Sequence, residues 1–474
     1  MNNKGITLYD HQNDMVAAAD KVAKGVFVAP TGSGKTLAQA EIVAKEIDKG
    51  GFRIICVKTP RITLTNQINI EYTSYLFGRE YDSIILHSGR SDEAPQDFAS
   101  ENPIELARFF KSFKEATSDM IKVANLIEAA RKDNIPFIIY TTYHSNEKAW
   151  NIVSSLNEEI ALDINDEGHF LTQACFNENF DLYEPKRQYS FTATLRVTDS
   201  DEGRGMNNVD KFGEIAYSMP IREAIDKNLI LPIKPHYIKT ESDTDRLSEL
   251  KAIGEFVRTS FEHLEENTLL APKMLVATQG ASQIEDFINS NTCADLIEEG
   301  VNIITVHSNK ECTTVNGKVV SRKEFNDAKN KLGKDDDAKL IVMHYDILSE
   351  GIDIPGLTGV VILRNMEMAK FLQTVGRVIR LYRKNPKLKT HGMLYFPDLS
   401  DKDLVARFDG MLLNMWQEGF IPEEIMNELL AAGSEEEEEE EVWSGSDQNA
   451  RERRLELFIE NGWKEEDFIG DFFG

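Results

Sequence analysis

Eight residues near the amino terminus, Ala29-Pro-Thr31-Gly32-Ser33-Gly34-Lys35-Thr36, have the types and spacing needed to hold a polyphosphate. Gly32 and Gly34 open the loop, so backbone N–H groups from Thr31 to Thr36 can surround a β-phosphate at a helix amino terminus. Lys35 then reaches the β- and γ-phosphates, and the Thr36 hydroxyl holds Mg²⁺. The apolar run Gly25-Val-Phe-Val-Ala29 leads into the loop. Thr36 to Lys49 continues as a helix with Leu37, Ile42, Val43 and Ile47 available to pack on a sheet. One departure from the GxxxxGK[ST] pattern is Ala29, which stands where the first Gly is expected.

A second group of chemical residues lies far along the chain. The β-forming run Ile160-Ala-Leu-Asp-Ile-Asn165 delivers Asp166-Glu167-Gly168-His169 at a strand's carboxyl end, where ligands of open α/β sheets bind. Asp166 there can hold Mg²⁺ through water, and Glu167 can polarise an attacking water. Ser190-Phe-Thr192-Ala193-Thr194 follows, then Leu348-Ser-Glu350-Gly351-Ile-Asp353-Ile-Pro355, then Gln373-Thr-Val-Gly376-Arg377-Val-Ile-Arg380.

The order and spacing of these segments resemble the superfamily 2 helicases and translocases. The resemblance runs from about residue 5 to about 398, and it implies an ATP- and Mg²⁺-dependent motor that moves on nucleic acid. It makes Arg377 and Arg380 arginine fingers, worth roughly 10³ to 10⁵ in rate, with Gln373 beside the γ-phosphate. Gly351 and Asp353 become nucleotide-side residues, and His169, Thr192 and Thr194 couple hydrolysis to movement. Leu8-Tyr-Asp-His-Gln12 resembles the family's glutamine element, in which Gln12 pairs with adenine. Thr59-Pro60-Arg61, after Ile54-Ile-Cys-Val-Lys58, and Thr141-Thr142, after Phe137-Ile-Ile-Tyr, resemble loops that set hydroxyls, N–H groups and a basic side chain on a phosphate backbone. Thr278-Gln279 and His307-Ser308 resemble their counterparts in a second domain. Thr-Thr-Tyr-His at 141–144 and Ser-Glu-Gly-Ile-Asp-Ile-Pro at 349–355 point to the branch with restriction-enzyme motor subunits, excision-repair helicases and phage branch-migration helicases, hence to DNA rather than RNA.

The fold expected is α/β: two tandem RecA-like lobes, each a parallel sheet covered on both faces. The first spans 1–220 with a helical insertion at about 88–135, a linker covers 221–235, the second lobe spans 236–398, and an acidic extension fills 399–474. Within the second lobe, Asn316-Gly317 between β-formers predicts a hairpin, either a strand-separating wedge or a tight turn, and Ser321-Arg-Lys-Glu324 predicts a capping box. Phe420-Ile-Pro422 opens a short helix ending near Gly433.

At 474 residues, 41% of them hydrophobic, the chain has room for two full cores and an appendage. No run of about 18 apolar residues suggests a membrane span, and no apolar signal region follows the amino terminus, so a cytoplasmic protein is expected. Its four cysteines show no CxxC spacing and so indicate neither a zinc module nor a disulfide framework, and no PD…ExK-type nuclease cluster stands outside the motor motifs. The net charge of −27 is the wrong sign for binding polyanions through a bulk field. Much of it sits at the end: residues 401–474 carry 22 acids and six bases, including seven glutamates at 435–441. The acidic-aromatic end, Trp463 to Gly474, is a segment that docks on a basic protein partner, folds back over the nucleic-acid path or packs on the second lobe.

Overall fold

The computed structural model describes residues 7–87, 116–180, 183–198, 203–238, 250–307, 313–345, 354–364, 368–397, 402–422 and 425–426. The chain divides after Met219 into two units, each built around its own sheet.

The first sheet has seven strands: β1 (Lys24–Val28), β2 (Ile54–Thr59), β3 (Asp82–Leu86), β4 (Phe137–Thr142), β5 (Ile160–Asp166), β6 (Gln188–Thr192) and β7 (Glu214–Ser218). They lie in the order β3-β4-β2-β5-β6-β1-β7, every pairing parallel. Parallel neighbours need crossovers, and these are helices that cover the faces. Burial on both faces is why β2 and β4 read as unbroken apolar runs, with all six residues of each buried. The helix Lys35–Ile47 presents Ala38, Ile42, Val43 and Ile47 to the core.

The last part of the expected insertion belongs to the lobe itself. The helix Met120–Asp133 is the crossover between β3 and β4, and its Val123, Ile127 and Ala130, at i, i+4 and i+7, join the core of Ile54, Ile84 and Ile139. Residues 88–115 lie outside the described residues.

The second sheet has eight strands: β8 (Ile233–Ile238), β9 (Lys273–Ala277), β10 (Asn302–His307), β11 (Thr313–Val315), β12 (Lys318–Val320), β13 (Leu340–Tyr345), β14 (Gly359–Ile362) and β15 (Gly392–Pro397), in the order β12-β11-β10-β13-β9-β14-β15-β8. Six are parallel; β11 and β12 form an antiparallel hairpin along the β10 edge. Its turn is Asn316 (φ 48°) and Gly317 (φ 75°), the two positive-φ positions that the Asn-Gly pair predicts. The capping box follows as expected, Ser321 and Glu324 exchanging hydrogen bonds at the start of the helix Arg322–Lys334.

Two boundaries differ from expectation. Residues 221–235 are no linker: they hold the helix Ile221–Asp226 and the start of β8, which pairs with β15 along its whole length. The apolar triplet before β8 explains this, because Ile230 and Leu231 are buried and the Leu231 N–H donates to the Ile379 carbonyl at 2.8 Å. The acidic extension, expected from 399, begins as second-lobe core. The helix Lys402–Gln417 buries Phe408 against Phe396, ring centroids 4.7 Å apart, and Gly419 (φ 85°) turns the chain after it. Of the short helix expected from Phe420, the first turn is described, with the Met426 N–H on the Pro422 carbonyl at 3.0 Å. The glutamate run and the acidic-aromatic end lie outside the described residues.

Candidate nucleotide-binding and hydrolysis site

The phosphate loop joins β1 to the helix Lys35–Ile47. Gly32 (φ 89°) and Gly34 (φ 87°) take left-handed conformations, costly for any residue with a Cβ. A Cβ on Gly34 would also strike the Gln12 amide. Lys35 is buried and donates to the Ala29 carbonyl at 2.8 Å and the Pro30 carbonyl at 3.3 Å, so its ammonium is held inside the loop. His11 Nε2 contacts the Ser33 carbonyl at 2.7 Å.

Gln12, expected to pair with adenine, has both ends of its amide engaged by the protein. Its Oε1 accepts from the Tyr9 N–H at 2.9 Å, and its Nε2 donates to the Gly34 carbonyl at 3.0 Å. At 1% exposure it latches the first helix to the loop.

The acid pair comes off the carboxyl end of β5, two strands from β1. Asp166 is buried, its Oδ1 accepting from Gln39 Nε2 at 2.7 Å, while the Tyr72 hydroxyl donates to Gln39 Oε1 at 3.1 Å and fixes the amide's orientation. Tyr143 donates to the Asp166 carbonyl at 2.6 Å. Burial, then the charge of Glu167, pushes the Asp166 carboxyl up to about 7, against the lowering pull of Gln39 and Lys35. Glu167 sits in the left-handed region (φ 51°, ψ 50°), a strained position for its residue type. Its Oε2 is buried and accepts no hydrogen bond among the described residues. It lies 3.5 Å from His169 Nδ1, which instead meets Thr192 Oγ1 at 3.0 Å.

Two neighbouring carboxylates, one with an unsatisfied buried oxygen and one raised by burial, form a donor set that suits a hard divalent cation. Thr36 and Asp166 would hold Mg²⁺ together with phosphate oxygens. Among the described residues, no cluster of three or more His, Cys, Asp or Glu offers an all-protein cage.

The three expected coupling residues meet. Thr192 Oγ1 donates to the Thr194 carbonyl at 2.8 Å, accepts from the Thr194 N–H at 3.1 Å and contacts His169. Burial, helped by Arg196 and Lys35, lowers His169 to about 3, so its ring is neutral. Gly168 has a local reason: a Cβ there would lie 3.0 Å from Ser190 Cβ, closer than ordinary contact.

In the second lobe, Gln373 and Arg377 share one face of the helix Met368–Val378 at i, i+4, with Arg380 two residues past its end. Arg377 is buried, and its charge helps Arg364 and burial hold His344 at about 3. Lys389 ties this helix end down through the Val378 carbonyl at 2.6 Å and the Arg380 carbonyl at 2.9 Å. Gly351 and Asp353 lie outside the described residues, as does Ser308.

Most of the described residues expected to contact nucleic acid are buried. Thr59, Thr141, Thr142, Thr278 and His307 are buried, and the Thr hydroxyls are bonded within the protein: Thr59 on the Arg61 carbonyl at 3.0 Å and Thr142 on Ser145 Oγ at 3.3 Å in their own loops, Thr141 on the Leu86 carbonyl of β3 at 2.9 Å and Thr278 on the His344 carbonyl of β13 at 3.1 Å. Pro60 is buried too, and Lys58 lies in an ion pair with Asp163. Only Arg61 and Gln279 among the described members of this set carry exposed side chains. Unforeseen were Gln39, Tyr72 and Tyr143 around Asp166. The one available signal was a polar Gln39 four residues after Lys35, in the stripe that should face the sheet.

The family model described as type III restriction enzyme, res subunit, matches residues 5–197, and that of the helicase conserved C-terminal domain matches 260–382. Over these two spans the chain is similar to the superfamily 2 helicases and translocases, in which such domains make an ATP-hydrolysing nucleic-acid motor. Within that superfamily it is related to restriction-enzyme motor subunits.

Solved structures share the fold. The ATP-dependent Type ISP restriction-modification enzyme LlaBIII, bound to DNA, is 17% identical with a TM-score of 0.63 over 99% of this chain and 33% of its own. A nuclease-deletion mutant of LlaGI, another Type ISP enzyme, with a DNA substrate mimic is 16% identical (TM-score 0.59, 96% and 34%). Mss116p bound to ssRNA and AMP-PNP is 14% identical (0.56, 98% and 84%). The chain thus spans about a third of the Type ISP enzymes. No curated protein matches in a sequence search. No helix among the described residues is long and apolar enough to cross a membrane.

Proposed function

We propose that this chain hydrolyses ATP with Mg²⁺ to translocate on or remodel DNA, with branched or duplex DNA as its substrate. The observation that carries the chemistry is the buried, unpartnered Glu167 Oε2 beside Asp166, on the sheet that also bears the phosphate loop. An acceptor of that kind takes a proton from a water, while Asp166, oriented by Gln39, and Thr36 hold the cation and Lys35 neutralises phosphate charge. Mg²⁺, when bound, draws charge from the β- and γ-phosphate oxygens. Arg377 and Arg380 act on the γ-phosphoryl group, with Gln373 beside it.

DNA is favoured by the kinship with restriction-enzyme motors and by the DNA in the LlaBIII and LlaGI structures. A second reading, an RNA helicase, is favoured by Mss116p, of which this chain covers 84%. The grip would come through backbone N–H groups at strand ends, with Arg61 and Gln279 alongside. The acidic-aromatic tail would dock on a basic protein partner or on the motor's own nucleic-acid path.

The test is steady-state ATPase activity with single-stranded, duplex, forked and four-way DNA beside matching RNA. Stimulation chiefly by forked or four-way DNA is expected. Stimulation by RNA alone would transfer the protein to the second reading, and an ATPase indifferent to every nucleic acid would leave only an ATP-switched binding module.

A further inference from the structure

A buried polar hub lies in the first sheet, on the face of β5 away from Asp166. Asp163, fully buried, pairs with Lys58 Nζ at 2.7 Å through Oδ2; the Lys58 side chain is 1% exposed. The same oxygen accepts from Gln188 Nε2 at 3.1 Å and lies 3.4 Å from Asn165 Nδ2. Tyr183 closes the group: Lys58 donates to its hydroxyl, which lies 3.0 Å from Asn146 Oδ1 and 3.5 Å from Asp163 Oδ2. Its ring stacks on Trp150, centroids 4.7 Å apart.

The members come from the segments that carry the loops of the site. Lys58 immediately precedes Thr59-Pro60-Arg61. Asp163 stands three residues before Asp166, and Gln188 four before Thr192. Asn146 opens the helix Asn146–Ser155, directly after the turn that follows Thr141-Thr142. Ladder hydrogen bonds already fix strand register, so a buried charge is not needed for that. Replacing such a pair with apolar residues is often neutral or stabilising.

The donors and acceptors of the hub also admit two arrangements. A tyrosine hydroxyl has one proton and two acceptors here, Asn146 and Asp163, while Asp163 Oδ1 has no hydrogen-bond partner among the described residues. Switching that proton ties the Thr141-Thr142 segment to, or frees it from, the carboxylate that also holds the β2 and β6 arms. A chain of side chains with two discrete states is what coupling requires.

We infer that the Lys58–Asp163–Tyr183–Gln188 hub is a positioning device that relays nucleic-acid contact at the Thr59–Arg61 and Thr141–Thr142 loops to the Asp166-Glu167 and Thr192–Thr194 segments. The inference rests on the proposed motor function. Its test uses Tyr183→Phe, which keeps the ring on Trp150 but removes the switching proton, and Gln188→Met, which removes the β6 arm; both leave the Lys58–Asp163 pair intact.

ATPase activity of the full chain is measured with and without forked DNA, alongside circular dichroism and thermal midpoint. The expected result is a KM for ATP and an unstimulated kcat within about twofold of wild type, with the stimulation factor reduced at least about 5-fold, the lower end of typical coupling. Wild-type stimulation in either folded variant, or an equal fall of basal and stimulated rates, would overturn the inference. Absence of stimulation by any nucleic acid in the wild type would instead remove the functional reading, and the inference with it.

Discussion

His344 gives the sharpest physical test of the second lobe. It lies on β13 at 0% exposure, neither ring nitrogen has a hydrogen-bond partner among the described residues, and burial with the Arg364 and Arg377 charges holds it at about 3. A histidine held below its unfolded value of about 6.5 costs folding nothing above that pH, where both states are neutral. As pH falls through 6.5 the unfolded chain takes up a proton that the folded lobe refuses, and stability drains away until the folded value near 3 is reached. At pH 5 the gap is about 1.5 pH units below the unfolded value, or about 2 kcal/mol at ~1.4 kcal/mol per unit.

His344→Leu removes this group while replacing two unsatisfied nitrogens with apolar volume, so near-neutral stability is expected at pH 8. The assay is hydrogen exchange of the peptide covering Leu340–Tyr345, corrected for intrinsic rates, from pH 8 to pH 5. Wild type should lose about 30-fold more protection than the variant over that range, the factor that ~2 kcal/mol represents. Equal losses in the two proteins would refute the buried-neutral assignment, as would a variant that loses more.

Lys35→Ala should weaken nucleotide binding, whereas Glu167→Gln should bind ATP normally in a fluorescent-nucleotide titration yet not turn over; steady turnover would refute Glu167 as the base. Arg377→Ala and Arg380→Ala should each cut kcat by roughly 10³-fold or more with ATP affinity changed far less, and a near wild-type rate would acquit that arginine. Gly34→Ala meets both a left-handed backbone and the Gln12 amide, so it should lose roughly 1–2 kcal/mol of first-lobe stability in urea unfolding and bind ATP poorly. Deleting residues 434–474 removes 15 acids and four bases; if the tail occupies the nucleic-acid path, affinity should rise at low salt and converge with wild type as salt screens it, and an affinity unchanged across salt would exclude that role.

The legible parts of this chain were those where local chemistry leaves few alternatives. A left-handed loop needs Gly32 and Gly34, a two-residue hairpin needs Asn316-Gly317, and strands buried on both faces need runs such as Ile54 to Val57. The alternation of such runs with amphipathic helices therefore announced two parallel sheets. Boundaries were less legible because they depend on distant pairing. β8 looks like linker until β15 is there to receive it, and the helix Lys402–Gln417 looks like the start of an acidic tail until Phe396 meets Phe408. The supports of the acid pair were illegible for a similar reason. Gln39, Tyr72 and Asp166 are separated by up to 127 positions, and only the closed sheet brings them together.

The buried threonines bear on the charge problem. Thr59, Thr141 and Thr278 stand where strands end, and each turns its hydroxyl inward to satisfy a carbonyl, so a phosphate at these loops would be met by backbone N–H groups rather than by the hydroxyls, except at Thr278 and Gln279, whose N–H groups are already bonded to the His344 carbonyl and Gln283 Oε1. A grip made of N–H dipoles needs little net positive charge and releases few counterions, so its salt dependence should be shallow compared with that of a lysine-rich surface. A chain of net charge −27 can then hold a polyanion, provided the few exposed side chains at those loops, Arg61 and Gln279, lie beside the strand-end dipoles rather than in a broad basic field. On that argument the negative charge and the motor architecture are compatible.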